Sequence, residues 1–159
     1  MNRLREAGPE HIDRVVKLWA EFVDFHADLD ARFERREGSK EGFGDHLRSR
    51  LDEKGCLLLV AEADGEVVGY LNAELGQYPP CFANRAHGIV EDLAVHPSWQ
   101  RSGVGAALLE RAMAWFSEKG VEAVEARVLT ANPLAMAFWR KAGFEPYMQT
   151  FRTFVPPGR

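Results

Sequence analysis

The sequence contains little cysteine and no long apolar segment, and both absences limit where the protein can act. Only Cys56 and Cys81 occur among 159 residues, and they stand far apart. Two isolated cysteines do not form a disulfide framework, so a reduced, cytoplasmic protein is predicted. The longest strictly apolar runs, Cys56–Ala61 and Leu134–Trp139, are six residues long, whereas a membrane span needs about 20. We therefore expect no signal peptide and no contact with a membrane.

Basic charge and metal-ligand spacing are also missing. The chain has 20 Lys and Arg against 24 Asp and Glu, a net charge of −4. This balance argues against nucleic-acid binding through a basic face. The five histidines show neither an H-E-x-x-H motif nor paired Cys/His spacing, so no metal is expected. No G-x-S-x-G motif is present, which disfavours a serine hydrolase.

The length and the hydrophobic periodicity predict one α/β domain over residues 3–155, followed by a short tail at 156–159. The order of elements is βααβββαβαββ, built around a mixed, mostly antiparallel sheet. Asp64-Gly65 between two β-rich runs predicts a hairpin, because glycine tolerates the positive φ of its turn. The predicted elements are strands at Arg3–Glu6, Leu57–Ala63, Glu66–Leu75, Ala86–Val95, Val121–Leu129, Phe144–Tyr147 and Thr150–Val155, and helices at 9–26, Gly44–Lys54, Gly103–Lys119 and 133–142, with Gly38–Gly44 as a loop.

The segment Val90–Gly105 carries the clearest chemical signal. A strand leads into a loop with two glycines, and the loop opens a helix. Main-chain N–H groups at such a junction form an anion site. The spacing does not match a dinucleotide fingerprint, whose third glycine is replaced by Leu108, and it lacks the lysine of a nucleotide-triphosphate loop. Taken alone, the two glycines leave a purely structural helix start open.

The wider pattern resembles a known family. The strand end Asp92–Pro97 is followed by the Q-x-x-G-x-G run Gln100–Gly105, and Asn132–Phe144 follows about thirty residues later. This combination resembles the GNAT superfamily of acyl-CoA-dependent N-acetyltransferases over residues 3–155. The resemblance implies a sheet that splays between its fourth and fifth strands, flanked by about four helices.

The resemblance also implies acetyl-CoA as cosubstrate. Main-chain amides of the Gln100–Gly105 loop and the following helix start would hold its pyrophosphate. Main-chain groups of Leu93 and Val95 would pair with its pantetheine arm, although their side chains also suit simple core packing. The cofactor-binding residues implied in this way are Leu93, Val95, Gln100, Arg101, Ser102, Gly103, Val104, Gly105, Ala106, Asn132, Phe138 and Trp139.

The implied reaction is direct attack of a primary amine on the thioester. An alkyl ammonium has a pKa near 10.4, so a base must remove a proton first. Glu91 is the candidate base, with an ordinary strand carboxylate as the alternative. Trp139 stands where the family often has a tyrosine that protonates the thiolate, and it serves either as a hydrogen-bond donor or as a wall of the slot. Regular alternation puts Ile89, Glu91, Leu93 and Val95 on one strand face and Val90, Asp92 and Ala94 on the other, unless a bulge intervenes.

The acceptor site of the family is built from the first two helices, their connection and the loop before the fourth strand. Carboxylates there would hold a cationic amine, and aromatic or imidazole rings would line the pocket. A solvated helix end, loop anchors and ordinary core histidines are the alternatives for the same side chains. The acceptor-binding candidates are His26, Asp28, Asp30, Tyr78, Phe82 and His87.

Three functions follow from these observations. The first is an N-acetyltransferase that acts on a primary amine of a small molecule or peptide. The second is a catalytically weak acyl-CoA-binding regulatory module with the same fold. The third is an oligomer component whose last strands exchange between subunits, and a homodimer is compatible with each of them.

Overall fold

A computed structural model describes residues 3–158 of the chain. These residues form two compact units, one ending at Arg127 and the other beginning at Val128. The strands are β1 (Arg3–Glu6), β2 (Cys56–Ala63), β3 (Glu66–Gln77), β4 (Ala86–Val95) and β5 (Val124–Ala126), and the helices are α1 (Ile12–Leu29), α2 (Ser39–Arg50), α3 (Val104–Glu118) and α4 (Pro133–Lys141). Within residues 3–158, no helix is long and apolar enough to cross a membrane.

The first unit contains a five-stranded sheet in the order β1-β2-β3-β4-β5. The first four strands pair antiparallel, and β4 pairs with β5 in parallel. The predicted mixed, mostly antiparallel sheet is confirmed. The parallel pairing joins only Gly88–Val90 to Val124–Ala126, so β4 continues past the end of β5.

Helices cover both faces of this sheet. Ile12 and Val15 of α1 and Leu47 of α2 pack in one buried cluster with Tyr70 of β3. The neighbouring residue, Gly69, lies against side chains of α3. Because successive strand residues point to opposite faces, α3 covers the face opposite α1 and α2.

The two first helices differ in how well the sequence predicts them. A 3-10 turn at Pro9–His11 leads into α1, which has the five turns expected from its apolar stripe. The second helix starts at Ser39 and ends at Arg50, so the prediction of a loop at Gly38–Gly44 is wrong. Phe43 stacks on Trp19 of α1 at 4.2 Å between ring centroids. This tertiary contact stabilises helical turns that the glycines disfavour.

The β2–β3 hairpin forms at the predicted turn. Asp64 and Gly65 have φ angles of 51° and 80°, as a type I′ turn requires at both central positions. The fourth strand has the predicted bounds, Ala86–Val95. The fifth strand is shorter than the predicted Val121–Leu129 and keeps only its three central residues.

The last two predicted strands do not form within the described residues. The chain from 143 to 158 has no strand after α4, so the observed order is βααβββαβα. Pro146 lacks the N–H group that a ladder needs, which argues against pairing at Phe144–Tyr147. Thr150–Val155 has strand-forming residues, but side-chain pattern alone cannot supply a partner edge. The predicted single domain over 3–155 stays a prediction.

Candidate active site

A β-bulge in β4 places the main acidic residues of the candidate site. Asn72 of β3 pairs with Asp92, and its neighbour Ala73 pairs with Val90, so Glu91 has no partner on β3. Such an extra residue resets the alternation of the strand. Asp92 therefore faces the same side as Asn72. The regular alternation expected for β4 is wrong beyond Glu91, and Leu93 and Val95 point to the opposite face.

Glu91 lies near Glu74 of β3, and a hydrogen bond between their side chains requires one carboxyl to carry a proton. Partial burial raises the pKa of Glu91 above its ordinary value, and the hydrogen bond and negative charge of Glu74 raise it further. The charge of Asp92 acts in the same direction, whereas Arg127 lowers it. Glu91 is thus a carboxylate with increased proton affinity, as a general base at neutral pH should be.

Asp92 lies deeper, below α1 and α2. Burial raises its pKa, while a hydrogen bond with the buried Asn72 amide lowers it. The neighbouring side chains of His46, Arg50 and His26 also lower the pKa of Asp92. Asp92 is therefore held in a polar cluster between the helices and the sheet, next to Glu91.

Two further groups border this cluster. Arg50, the last residue of α2, places Nη2 2.7 Å from Oε2 of Glu74. The thiol of Cys56 donates a hydrogen bond to Glu53 at 3.1 Å, and burial raises the pKa of Cys56 to about 11. A thiol with so high a pKa carries almost no thiolate at neutral pH, so Cys56 is not a nucleophile.

Tyr70 contributes a buried hydroxyl on the same sheet face. Its side chain is 0% exposed, and its hydroxyl has no hydrogen-bond partner in residues 3–158. Burial, helped by the charge of Asp92, raises the pKa of Tyr70 well above its usual range. Tyr70 is a core residue that stays protonated.

Four of the predicted acceptor residues lie near these acids or at the same end of the strands. His26 is buried in α1, where Nδ1 lies 2.8 Å from the carbonyl oxygen of Phe22. Tyr78 stacks on His87 with ring centroids 4.0 Å apart, and Phe82 lies 6.1 Å from Tyr78. The β3–β4 connection thus gathers three of the predicted rings at one place.

The predicted acceptor carboxylates Asp28 and Asp30 lie at the end of α1. Asp28 is exposed. The carboxylate of Asp30 caps the 3-10 turn at Ala31–Phe33 by accepting from Arg32 N at 3.0 Å, and it also pairs with the Arg32 guanidinium. Asp30 therefore stabilises the turn after α1, and its role in binding an acceptor stays a prediction.

The predicted cofactor loop contains two residues with positive φ. Arg101 and Gly103 both adopt positive φ, 59° and 87°, the conformation that glycine accepts without strain. The first main-chain hydrogen bond of α3 joins Ala107 N to the carbonyl oxygen of Gly103. Within residues 3–158, no main-chain carbonyl accepts a hydrogen bond from the N–H groups of residues 101–106. Free N–H groups at a helix start suit a phosphate.

The second half of β4 presents an unpaired edge. His96 N donates to the carbonyl oxygen of Val68 in β3 at 2.8 Å. Because main-chain groups alternate along a strand, those of Val95 and Leu93 point to the other edge. No strand of residues 3–158 pairs with this edge beyond Val90. The main-chain groups of Leu93 and Val95 therefore point toward this open edge, where the carbonyl oxygen of Val95 accepts from Gln100 Nε2 at 3.4 Å. Their role toward a cofactor stays a prediction.

The remaining predicted cofactor residues belong to the second unit. Asn132 is buried and caps α4, with Oδ1 accepting from Ala135 N at 3.1 Å. Trp139 packs edge-on against Phe138 and Phe144. These contacts order α4 and the turn after it, and the roles of Asn132, Phe138 and Trp139 toward a cofactor stay predictions.

Sequence reasoning missed part of the cluster. Asn72, Glu74 and Asp92 were not among its candidates, and neither were His46 and Arg50. Asn72 and Glu74 follow Tyr70 at alternate positions of a strand whose other residues are mostly apolar. Polar side chains at spacing two in a buried strand are a usable signal. The position of Asp92 depended on the bulge, which the sequence left open as an alternative to regular alternation.

Comparison with known proteins identifies related sequences. The model of the acetyltransferase (GNAT) family matches residues 18–144. An aminoglycoside N(6')-acetyltransferase type 1 from Stenotrophomonas maltophilia is 34% identical over 99 residues. That match covers 62% of this chain and 65% of the relative, slightly less than two thirds of the relative's length.

Solved structures share the fold. A tetramutant of the BH1408 protein from Bacillus halodurans matches with a TM-score of 0.87 at 20% identity, covering 96% of this chain and 99% of that one. Aminoglycoside N-acetyltransferase AAC(6')-Iy, solved with CoA, gives a TM-score of 0.74 at 18% identity, covering 98% and 95%. At these identities the similarity establishes the fold alone.

Proposed function

The chain belongs to the acetyltransferase (GNAT) family, and from this premise we propose that it transfers an acetyl group from acetyl-CoA to a primary amine by direct attack. The amine belongs to a small molecule or a peptide. The observation that carries the proposal is Glu91, a carboxylate of raised pKa at the bulge where the unpaired edge of β4 begins. Base and candidate thioester site are thereby adjacent on one strand.

Acetyl-CoA, the cosubstrate used by the family, fits the loop geometry. The free amides of residues 101–106 and the positive end of α3 would hold its pyrophosphate. Arg101 is a fixed positive charge in the same loop, which matters in a chain of net charge −4. Main-chain groups of Leu93 and Val95 would pair with the pantetheine arm, and an amide on that edge would polarise the thioester carbonyl.

The attacking nitrogen loses two protons as the ammonium becomes an amide. Glu91 takes the first proton from the ammonium, directly or through water, and the neutral amine then attacks the thioester carbon. The new C–N bond forms as the C–S bond breaks, and the thiolate leaves. Trp139 has an indole N–H that donates a hydrogen bond but gives up no proton, so the second proton of the attacking nitrogen passes through water to the thiolate. A thiol pKa near 8.5 makes thiolate an acceptable leaving group.

A cationic amine is the acceptor class that the charges favour. Glu74, Glu91 and Asp92 gather negative charge on the sheet face below α1 and α2. His26, Asp28 and Asp30 from α1 and its end, and the ring group of Tyr78, Phe82 and His87, would border the amine. An aminoglycoside carries several such amines, and the Stenotrophomonas maltophilia relative is named for that acceptor.

We also propose a cytoplasmic location and a homodimeric assembly. Cys56 and Cys81 are both free thiols, which fits the reducing cytoplasm. A homodimer would cover a segment of the second unit that exposes large apolar side chains. Those side chains are at least 74% exposed and belong to Tyr147, Met148, Phe151, Phe154 and Val155.

An acyl-CoA-binding module without catalysis is the second candidate function. Trp139, which stands where the family often has a proton-donating tyrosine, favours it. The two functions share the cofactor loop and differ only in turnover.

A CoA-release assay separates them. The protein is mixed with acetyl-CoA and, in turn, an aminoglycoside, a polyamine, a peptide with a free N-terminus and a lysine-containing peptide blocked at its N-terminus. We expect amine-dependent release of CoA with the aminoglycoside or the polyamine. If acetyl-CoA binds but none of the amines causes release of CoA, the protein is the binding module and not an enzyme.

A further inference from the structure

A cleft beside the first half of α1 lies outside the candidate active site. Its volume is about 320 Å³, at the lower end of the range of small-molecule sites, which is about 300–1,000 Å³. One wall is α1, the second is the start of β3, and the third is the 3-10 turn Pro97–Trp99 that follows β4. We call it the α1 cleft, and all of its walls belong to the first unit.

The α1 cleft is far from the candidate base along the sheet. Val68 lines the cleft and precedes Glu74 of β3 by six residues, which is about 20 Å at the rise of a strand. His96, on the third wall, follows Glu91 by five residues, or about 17 Å. A molecule in the cleft is therefore too distant to exchange a proton with Glu91.

Hydrogen bonds hold the walls of the α1 cleft in place. His96 N donates to the carbonyl oxygen of the buried Val68 at 2.8 Å, and Trp99 N donates to the carbonyl oxygen of His96 at the same distance. The guanidinium of Arg14 donates to the carbonyl oxygen of Gly65 in the hairpin turn. The cleft is thus formed before any ligand enters, which reduces the entropy lost on binding.

Charged side chains of both signs line the α1 cleft without pairing with one another. Lys17, Glu21 and Glu66 are exposed, and they form no ion pair within residues 3–158. Lys17 and Glu21 are neighbours on one helix face, but lysine before glutamate is the weaker order for a pair. Arg14 differs, because its Nη2 lies 3.5 Å from Glu62. One ammonium and two carboxylates therefore remain available to a ligand.

We propose that the α1 cleft binds a small zwitterion of the size and chemistry of an aromatic α-amino acid. Its carboxylate pairs with Lys17, and its ammonium pairs with Glu21 and Glu66. A ligand of one sign would place its charge beside at least one like charge of the cleft. Trp99 and the buried Leu18 supply apolar contact, and an indole favours a second aromatic ring in an offset or edge-on arrangement.

A solvated surface groove is the competing explanation, in which the charges only increase solubility. Such a groove would not prefer a zwitterion to a molecule that carries one of its two charges. Exposed charge pairs contribute little to binding. For a ligand of about a dozen non-hydrogen atoms, we therefore expect a Kd of about 1–10 mM.

The test is an NMR titration of the full-length protein with L-phenylalanine in slightly acidic buffer. The signal followed is the indole N–H of Trp99, assigned as the one absent from Trp99→Phe. We expect this signal to shift saturably with phenylalanine. Binding should be about fivefold weaker for 3-phenylpropionate, which lacks the ammonium, and for phenylalaninamide, which lacks the carboxylate. Equal affinities for the three probes, or no saturable shift of Trp99, would overturn the inference.

Variants that remove single charges assign each end of the ligand. Lys17→Gln should weaken phenylalanine about fivefold and leave phenylalaninamide unchanged, because only phenylalanine offers a carboxylate. The double variant Glu21→Gln with Glu66→Gln should weaken phenylalanine but not 3-phenylpropionate. Lys40→Gln and Glu41→Gln alter exposed residues of α2, and as matched controls they should change no affinity. Equal weakening of every probe in Lys17→Gln would contradict the assigned carboxylate contact.

Phenylalanine is itself a primary amine, so binding at the proposed acceptor site is a separate outcome. It would move the signals of Tyr78 and His87, leave Trp99 in place and also overturn the inference. The titration contains no acetyl-CoA, so its result does not depend on whether the protein transfers an acetyl group.

Discussion

Glu91 differs from an ordinary strand glutamate in its neighbours and in its lack of a partner on β3. In a regular strand it would pair across to β3, and Asp92 would face away from it. The bulge leaves Glu91 unpaired and turns Asp92 to the face of Asn72. Burial and the neighbouring carboxyls of Glu74 and Asp92 raise its pKa. These surroundings make Glu91 the candidate base.

Replacement of Glu91 by glutamine tests this role. A general base contributes about 10²- to 10⁴-fold, so Glu91→Gln should lower kcat/KM by that range. In the unaltered protein the base must be deprotonated, so activity should fall as pH drops through the raised pKa of Glu91. The acid limb should therefore lie above the value near 4.3 typical of glutamate. The measurement is the pH dependence of kcat/KM for CoA release.

Glu110→Gln on the exposed side of α3 provides the control and should change neither rate nor pH profile. If Glu91→Gln keeps both the rate and the acid limb, another group is the base.

The same residues show how far sequence reasoning reaches. Glu91 was predicted as the base because the family resemblance marks its position. His26 and His87 were predicted as acceptor residues from the elements that carry them, and these roles stay predictions. Asp92 lies on the opposite face from the one that regular alternation gives, and the bulge that the sequence left open as an alternative is the reason.

The candidate cofactor site depends on the start of α3 and the loop before it. In the loop before α3, Gly103 adopts a φ of 87° directly before the helix starts. Gly120 ends the same helix with a φ of 72°. Both glycines have open space where a Cβ would be placed. Both positions therefore require a positive φ. Gly103 belongs to the predicted phosphate loop, whereas Gly120 lies at the other end of α3.

Replacing each of these two glycines by alanine distinguishes an effect on stability from an effect on acetyl-CoA binding. Each substitution should cost about 1 kcal/mol, because an L-residue is strained at positive φ. Only Gly103→Ala should also weaken acetyl-CoA binding, since it disturbs the amides of residues 101–106. Urea unfolding gives the stability, and titration calorimetry with acetyl-CoA gives the affinity. Equal affinity in Gly103→Ala and Gly120→Ala would exclude the loop as the phosphate site.

At the scale of the whole molecule, the two units differ in how predictable they are from sequence. In the first, the hairpin at Asp64-Gly65 and the strand Ala86–Val95 follow from local turn chemistry and alternation. In the second, α4 follows from its Asn132 cap and proline start. The strands expected at Phe144–Tyr147 and Thr150–Val155 did not form, because a strand depends on a partner edge that local pattern cannot specify.

The exposed apolar segment of the second unit makes assembly testable. We expect the protein to run as a homodimer in size-exclusion chromatography with light scattering. A double variant, Phe151→Glu with Phe154→Glu, should give a monomer, because charges would be placed in the contact. Phe82→Glu, which alters an exposed phenylalanine of the first unit, should remain dimeric. A monomeric unaltered protein at micromolar concentration would contradict the proposed homodimer.

Transfer of the acetyl group itself is the most direct test of the account. The protein is incubated with acetyl-CoA labelled with carbon-13 in the acetyl carbonyl and with a cationic polyamine or aminoglycoside, and the products are followed by NMR. We predict a labelled amide on an amine nitrogen, formed by the unaltered protein and strongly reduced in Glu91→Gln. Label that remains on CoA, or that appears only as free acetate, would contradict N-acetyl transfer.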